Sequence, residues 1–188
     1  MGKVKKRLKP RPPSLRKPTM DDLPALFDIF SDPRVWWNQT GSAHDDIDVT
    51  RAMLEQWIAD WVYDALGIWV ACTRNGEIVG AGGVRRCGNA WHLRYCVAPR
   101  HWHKGYGSYL AAAGATAATY FDKEMPVFLT TLRDNFTSCL IADKLDFMRV
   151  RNDFDSISGS SARRIYANRL VSAEVINEYL NARLKLLE

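Results

Sequence analysis

Two residues, Asn75 and Gly76, constrain the architecture of this chain more than any others. They separate an apolar, β-branched run at about 68–73 from a second at about 77–85. Asn-Gly between two such runs is the strongest short hairpin signal, because both central positions of a type I′ turn need positive φ. A hairpin here commits the chain to an antiparallel sheet. A third run, about 90–97, follows the turn at Cys87-Gly88-Asn89 and extends the meander. An alanine-rich helix then runs through about Phe121, a short apolar strand is expected at 126–131, a helix at 135–145, and strands beginning at 147–150 and at 164–170. Ser172 can cap a C-terminal helix with Val175, Ile176, Tyr179 and Leu180 on its apolar face.

Upstream of the hairpin, residues 14–17 suit a short edge strand. Thr19 precedes Met20-Asp21-Asp22, which puts acids in the first turn of a helix that Asp32-Pro33 stops after about Phe30. A second helix is expected at about 48–64, where Met53, Trp57 and Trp61 recur at i, i+4 and i+8, and Leu54 and Ile58 widen the stripe. Trp57 and Trp61 are therefore expected in the core. The order is two helices, a three-stranded meander, then strand–helix–strand–helix–strand. It indicates one mixed α/β (α+β) domain, a largely antiparallel central sheet flanked by helices, and not a doubly wound nucleotide fold.

The net charge of +5 is unevenly placed. Residues 1–13 hold Lys3, Lys5, Lys6, Arg7, Lys9 and Arg11 and no acid; removing those six from the 26 basic residues leaves 20 against 21 acidic ones. The high isoelectric point thus belongs to a basic, proline-broken arm over 1–13, and the domain over 14–188 is nearly neutral, which does not suit a nucleic-acid-binding body. The arm reads as a solvated segment, or as a tether to RNA, ribosomes or an acidic partner. Four cysteines lie far apart without a C-x-x-C pair, so no zinc or redox dithiol is expected. There is no signal-peptide pattern, no myristoylation pattern because position 6 is Lys6, and no apolar run of membrane-spanning length. A soluble cytoplasmic protein with no membrane contact is the expectation.

The most informative segment runs Val97-Ala98-Pro99-Arg100-His101-Trp102-His103-Lys104-Gly105-Tyr106-Gly107-Ser108. A strand ends before Pro99 and a helix begins within the glycines. Amides entering a helix lack intrahelical partners and point one way, and with the positive helix end they suit a diphosphate. Gly105 and Gly107 remove Cβ atoms where backbone must approach phosphate, and Lys104 can add a point charge. Taken alone, the pattern also fits an ordinary glycine turn.

The segment resembles the R/Q-x-x-G-x-G/A motif of the GNAT superfamily of N-acetyltransferases, with Trp102 where Arg or Gln is usual. A Trp followed two residues later by Lys-Gly-Tyr is similar to the branch of ribosomal-protein N-terminal acetyltransferases of the Rim type. Leu15-Arg16-Lys17-Pro18-Thr19-Met20-Asp21-Asp22 resembles the family's opening pattern. Asn135-Phe136-Thr137-Ser138, followed by Lys144-Leu145-Asp146-Phe147, resembles its N-x-x-S…K-L-G-F block, with Asp146 where Gly is usual. This resemblance implies acetyl-CoA as co-substrate, without a metal, and transfer of its acetyl group to a primary amine: a protein N-terminus or a small molecule. It implies that pantetheine lies in a cleft beside the strand ending at Val97 and pairs with backbone near Cys96 and Val97. Amides of Trp102, His103, Lys104, Gly105, Tyr106, Gly107 and Ser108 would hold the pyrophosphate, and Asn135 would contact pantetheine or phosphate. Homodimers are common in the family.

For the catalytic base, strand alternation puts His92, Arg94 and Cys96 on one face, and His92 matches the position where Rim-type relatives often carry a catalytic Glu. Imidazole titrates near ~6.5 and can accept a proton at neutral pH; the plainer account is a strand histidine satisfied by a neighbour. Where many relatives use a Tyr to protonate the leaving thiolate, this chain has Ala142, while Ser138 matches the Ser that the Rim-type branch offers, or simply bonds backbone in the first helical turn. Trp36, Trp37 and His44 lie between the first two helices, which in this family wall the acceptor cleft. Adjacent tryptophans are costly to expose, so both should bury, in the core or as an aromatic acceptor pocket with Arg94. His101 and His103 suit phosphate-side contacts or surface exposure. The missing Tyr also leaves room for a different protein, a non-catalytic acyl-CoA-binding sensor of the same fold.

Overall fold

The computed structural model describes residues 11–37, 43–154 and 162–185. Strand β1 (Ser14–Arg16) leads through a 3-10 turn at Met20–Asp22 into α1 (Leu23–Phe30); the single N-terminal helix expected from the sequence is thus two pieces, with Pro24 in the first turn of α1. A second 3-10 turn, Pro33–Trp36, precedes α2 (Ile47–Tyr63). The meander is β2 (Ile68–Cys72), β3 (Ile78–Cys87) and β4 (Ala90–Val97). It is followed by α3 (Tyr106–Phe121), β5 (Val127–Leu132), α4 (Phe136–Lys144), β6 (Met148–Phe154), β7 (Ala162–Ala167) and α5 (Ala173–Lys185). The strands form one seven-stranded sheet in the order β1-β2-β3-β4-β5-β7-β6, antiparallel throughout except where β4 meets β5. The mixed, largely antiparallel α/β domain expected from element order is the fold observed.

The β2–β3 hairpin forms, but not on a type I′ turn. Only Gly76 has positive φ (+83°); Asn75 does not. The Gly76 amide donates to Thr73 O at 3.0 Å, and the Thr73 amide to Glu77 O at 2.8 Å. This is a type I turn closed by a left-handed glycine, the longer alternative for the same dipeptide. The Thr73 hydroxyl accepts from the Glu77 amide at 3.2 Å, a local bond that favours the wider loop.

Alternation along β4 divides the sheet into two faces. Trp91, Leu93, Tyr95 and Val97 lie under α3 and α4 with Leu110, Ala111, Ala118 and Ile141. Helix α3 approaches closely because its inner positions are small: a Cβ at Gly114 would stand 3.0 Å from Gly83 Cα and 2.8 Å from Leu93 Cδ1. The opposite face carries α1 and α2 over β2 and β3, with Leu26, Ile29, Leu54 and Trp57 buried. Across β5 and β7 the same face carries α5, where Tyr179 stacks on Phe128 at 4.2 Å between ring centroids. Trp61, expected in the core, is only half-buried: its indole donates to Ile68 O at 2.9 Å and the Lys17 ammonium sits 4.7 Å over its ring. A buried ion pair ties α2 to β3, with Arg85 Nε donating to Asp60 Oδ2 at 2.6 Å and Gln56 donating to Asp60 Oδ1 at 3.0 Å.

Candidate functional site

Strands β4 and β5 pair only at Trp91↔Val127 and His92↔Phe128, although β4 continues to Val97 and β5 to Leu132. Beyond His92 the two strands diverge and leave a wedge in the middle of the sheet. The Trp91 amide donates to Pro126 O on the β5 side, at 2.9 Å, and the Ala98 amide donates to Val79 O on the β3 side, also at 2.9 Å. Because N–H and C=O alternate along a strand and oppose each other across a trans peptide, the main-chain groups of Leu93, Tyr95 and Val97 face the wedge. Those of Arg94 and Cys96 face β3, so the main chain of Cys96, expected beside pantetheine, is turned away from the wedge, and Tyr95 stands in its place. The Val97 carbonyl already accepts from the Trp102 indole at 2.7 Å.

The wedge leads to the loop before α3. After a 3-10 turn at Pro99–His101, φ is +61° at His103 and +82° at Gly105, with negative φ between them. Alternating handedness of this kind curls successive amides into an anion-binding nest. Among the described residues, the amides of 103–108 make no well-formed hydrogen bond, a weak turn over Trp102–His103 aside, and no side chain caps α3. The Trp102 amide is different, since it donates to Pro99 O at 3.2 Å. A Cβ at Gly105 would meet nothing within 4 Å. At Gly107 a Cβ would lie 3.5 Å from Ile141 Cδ1, an ordinary contact.

The loop is braced from outside. Glu77 accepts from Arg100 Nε and from His101 Nε2, each at 2.9 Å, and Lys104 Nζ donates to His101 Nδ1 at 3.1 Å. Arg100 and His101 hold the Glu77 carboxyl below its ordinary range. His101 was expected to contact phosphate or to be exposed; it is buried, because Glu77 of the β2–β3 hairpin reaches across to it. His103 is exposed.

At the apex of the wedge, His92 is 9% exposed. Its Nδ1 lies 2.7 Å from the Tyr179 hydroxyl, which is 2.8 Å from Thr130 Oγ1. Burial, then Arg94 and the neighbouring arginines Arg183, Arg85 and Arg163, push its pKa well below 6.5, so the ring is neutral at physiological pH. For Nε2 to accept a proton, Nδ1 must carry the hydrogen and donate to the phenol oxygen, leaving Tyr179 to donate to Thr130. Arg94, two residues on and on the same face, is half-buried. Burial and the charges of Arg85 and Arg183 lower its pKa to about 10.

Arg94 also bears on His44, whose pKa is lowered first by burial and then by that guanidinium. His44 stacks on Phe30 at 5.2 Å and on Trp36 at 5.8 Å, and its Nδ1 lies 2.8 Å from Thr50 Oγ1. The Trp36 indole donates to Phe30 O at 2.7 Å. Trp36 thus joins this aromatic wall, but Trp37 does not: it is 60% exposed. Successive side chains of a 3-10 turn diverge by about 120°, so only one of two adjacent tryptophans can face Phe30.

On the other face, the Asn135 side chain accepts from the Ser138 amide at 3.1 Å and caps α4. Ser138 lies near the Tyr95 hydroxyl, which is buried with no hydrogen-bond partner of good geometry; burial raises its pKa to about 12, with Ser138 opposing.

A family model described as an acetyltransferase (GNAT) domain matches residues 14–148. The chain belongs to the GNAT family. No curated protein sequence matches it. A putative GNAT-family acetyltransferase from Bordetella pertussis has the same fold, with a TM-score of 0.70 and 20% identity over 85% of this chain and 97% of that one. RimL, a ribosomal alpha-N-protein acetyltransferase solved with coenzyme A, aligns with a TM-score of 0.69 and 15% identity over 88% and 98%. Spermidine N-acetyltransferase from Vibrio cholerae, solved with coenzyme A and spermine, aligns with a TM-score of 0.65 and 13% identity over 81% and 93%.

In this GNAT domain the wedge brings His92, Arg94, Val97 and the 103–108 loop to one strand edge, with Trp36 and His44 on the same face as His92. It keeps Ser138 and Asn135 on the opposite face with Tyr95. Sequence reasoning missed Tyr179 and Thr130. The sequence period places Tyr179 on an apolar helix face, but a tyrosine on such a face brings a hydroxyl that needs a partner, and Thr130 is two residues from Phe128 on the same side of β5. A shallow hollow of about 530 Å³ lined by Arg86, Gly88, Asn89, Glu178 and Asn181 lies beside the β3–β4 turn, at the far end of β4 from the loop.

Proposed function

We propose that this protein is an acetyl-CoA-dependent N-acetyltransferase that acts on a primary amine. The observation that carries the reading is the wedge between β4 and β5, whose open edge runs into the amides of 103–108, which among the described residues make no well-formed hydrogen bond. In this reading the amides hold the pyrophosphate, with Lys104 adding charge, and pantetheine lies along the wedge against the main chain of Tyr95 and Val97. The Val97 carbonyl, which already accepts from the Trp102 indole, keeps a second lone pair for pantetheine. Asn135 presents its amide nitrogen to the pantetheine side while its oxygen caps α4.

His92 Nε2 takes the proton from the amine, directly or through water, and a free amide on the β4 edge stabilises the oxyanion. The new N–C bond forms as the thioester C–S bond breaks. The thiolate takes a proton from Ser138 or Tyr95, or leaves as the anion, since a thiol has a pKa near ~8.5. The overall change is amine plus thioester to amide plus thiol. The Rim-like Trp102-His103-Lys104-Gly105-Tyr106 run supports a peptide N-terminus as acceptor, with the basic arm over 1–13 outside the described residues except for Arg11–Pro13.

Calorimetry with coenzyme A, followed by thiol release from acetyl-CoA over an amine panel, tests the reading. Binding together with turnover supports it. Binding without thiol release at any pH from about 6 to 9 favours the acyl-CoA sensor, which the deeply buried and hydrogen-bonded His92 ring makes a specific alternative. Absence of binding removes both.

A further inference from the structure

The even-numbered face of β4 carries a guanidinium with nothing to hold it. Among the described residues, Arg94 has no hydrogen-bond acceptor and no carboxylate within ion-pair distance. Its cross-strand neighbour in β3 is Gly83, which offers no side chain, and on the other side β5 has already parted from β4 at His92. The titratable groups that act on it are cationic or neutral at physiological pH: Arg85 from β3, Arg183 and Tyr179 from α5, and Cys96 of its own strand; the guanidinium acts in turn on the neutral rings of His92 and His44. The carboxylate of Asp60 is taken up by Arg85 and Gln56. Holding a half-buried cation among other cations is unfavourable unless an anion joins it. Guanidinium is the side chain best shaped to take a carboxylate through two parallel bonds.

We propose that Arg94 selects an anionic acceptor, a primary amine that carries a carboxylate within about one residue's length of the nitrogen. The inference rests on the acetyltransferase reading and names its substrate class. His92 and Arg94 are two residues apart on an extended strand, about 6.6 Å between Cα atoms, and project to the same side. An amine presented to His92 Nε2 therefore places a neighbouring carboxylate within reach of Arg94. Two sources share that chemistry: a free amino acid, and a peptide whose first side chain is acidic.

The test compares matched pairs that differ only in carboxylate against carboxamide. One arm uses β-alanine and β-alaninamide; the other uses tripeptide amides beginning with glutamate or with glutamine. Wild type should favour the carboxylate member of at least one pair by about 10- to 100-fold in kcat/KM, mostly through KM. The arm that responds identifies the source. Arg94→Gln should bring that ratio to within about threefold, and Arg94→Lys should leave it intermediate; unchanged coenzyme A affinity and Tm in both variants exclude misfolding. Equal use of both members by wild type, or a preference that survives Arg94→Gln, overturns the proposal. If no amine releases thiol, the acetyltransferase reading fails separately. Calorimetric binding of the same pairs to the coenzyme A-loaded protein then decides: a carboxylate preference lost in Arg94→Gln upholds the anion site, and its absence overturns it.

Discussion

At the loop before α3 the groups proposed to hold the cofactor are mainly main-chain amides of consecutive residues, with the Lys104 side chain beside them, shaped by left-handed φ at His103 and Gly105. At the apex of the wedge the proposed groups are side chains, and His92, Thr130, Tyr179, Arg94 and His44 come from four separate parts of the chain. The first kind of site is local and tolerates most changes of side chain except those that alter φ. The second depends on tertiary packing and is sensitive to each contributor. The two should therefore respond to substitution in different measurements, the loop in cofactor affinity and the apex in turnover, pH dependence and stability.

The largest separation is expected at His92. His92→Gln should lower kcat by about 10²- to 10⁴-fold with the KM for acetyl-CoA unchanged; a parallel loss of cofactor affinity would mean the two regions are one. Gly105→Val should do the converse. It forces a β-branched residue into φ +82° and so distorts the nest, and coenzyme A affinity should fall about 100-fold by calorimetry. Gly107→Ala is its control, since its Cβ meets Ile141 at ordinary distance; affinity should change less than about threefold.

Asp60→Ala should destabilise by about 3–5 kcal/mol in urea unfolding, because it leaves Arg85 buried and unpaired. Nest geometry, and with it cofactor affinity under native conditions, should persist. The smallest effect concerns acid. The folded pKa of His92 lies well below its unfolded value of 6.5, so the unfolded chain binds the extra proton. Stability is complete above about pH 6.5 and declines as pH falls from there toward the folded value. His44 contributes with the same sign. His92→Gln should flatten part of this acid limb, and a limb of identical slope would assign it to other groups.

The same contrast explains what could be read in the sequence. The turn into α3 was legible because it needs only neighbouring residues, and Gly105, Gly107 and the alanine run lie close together. The element order was legible for the same reason, since each strand and helix has its own period. The apex was only half legible. Alternation put His92 and Arg94 on one face, but Tyr179 lies 87 residues from His92 and its role exists only once α5 docks on β5. Trp37 and Asn75 failed more locally: a 3-10 turn sends adjacent side chains apart, and Thr73 diverts an Asn-Gly turn into a wider loop. In both cases a neighbouring residue, not the residue itself, set the outcome.

Amide hydrogen exchange by NMR across residues 103–108 tests the central claim most directly. Without an acceptor, these amides should exchange freely in the protein alone and become strongly protected at saturating coenzyme A, while the buried ladder of β3 and β4 changes little. Exchange at 103–108 that stays fast with coenzyme A bound, or protection that arises instead around the hollow at Arg86 and Asn181, would contradict the account.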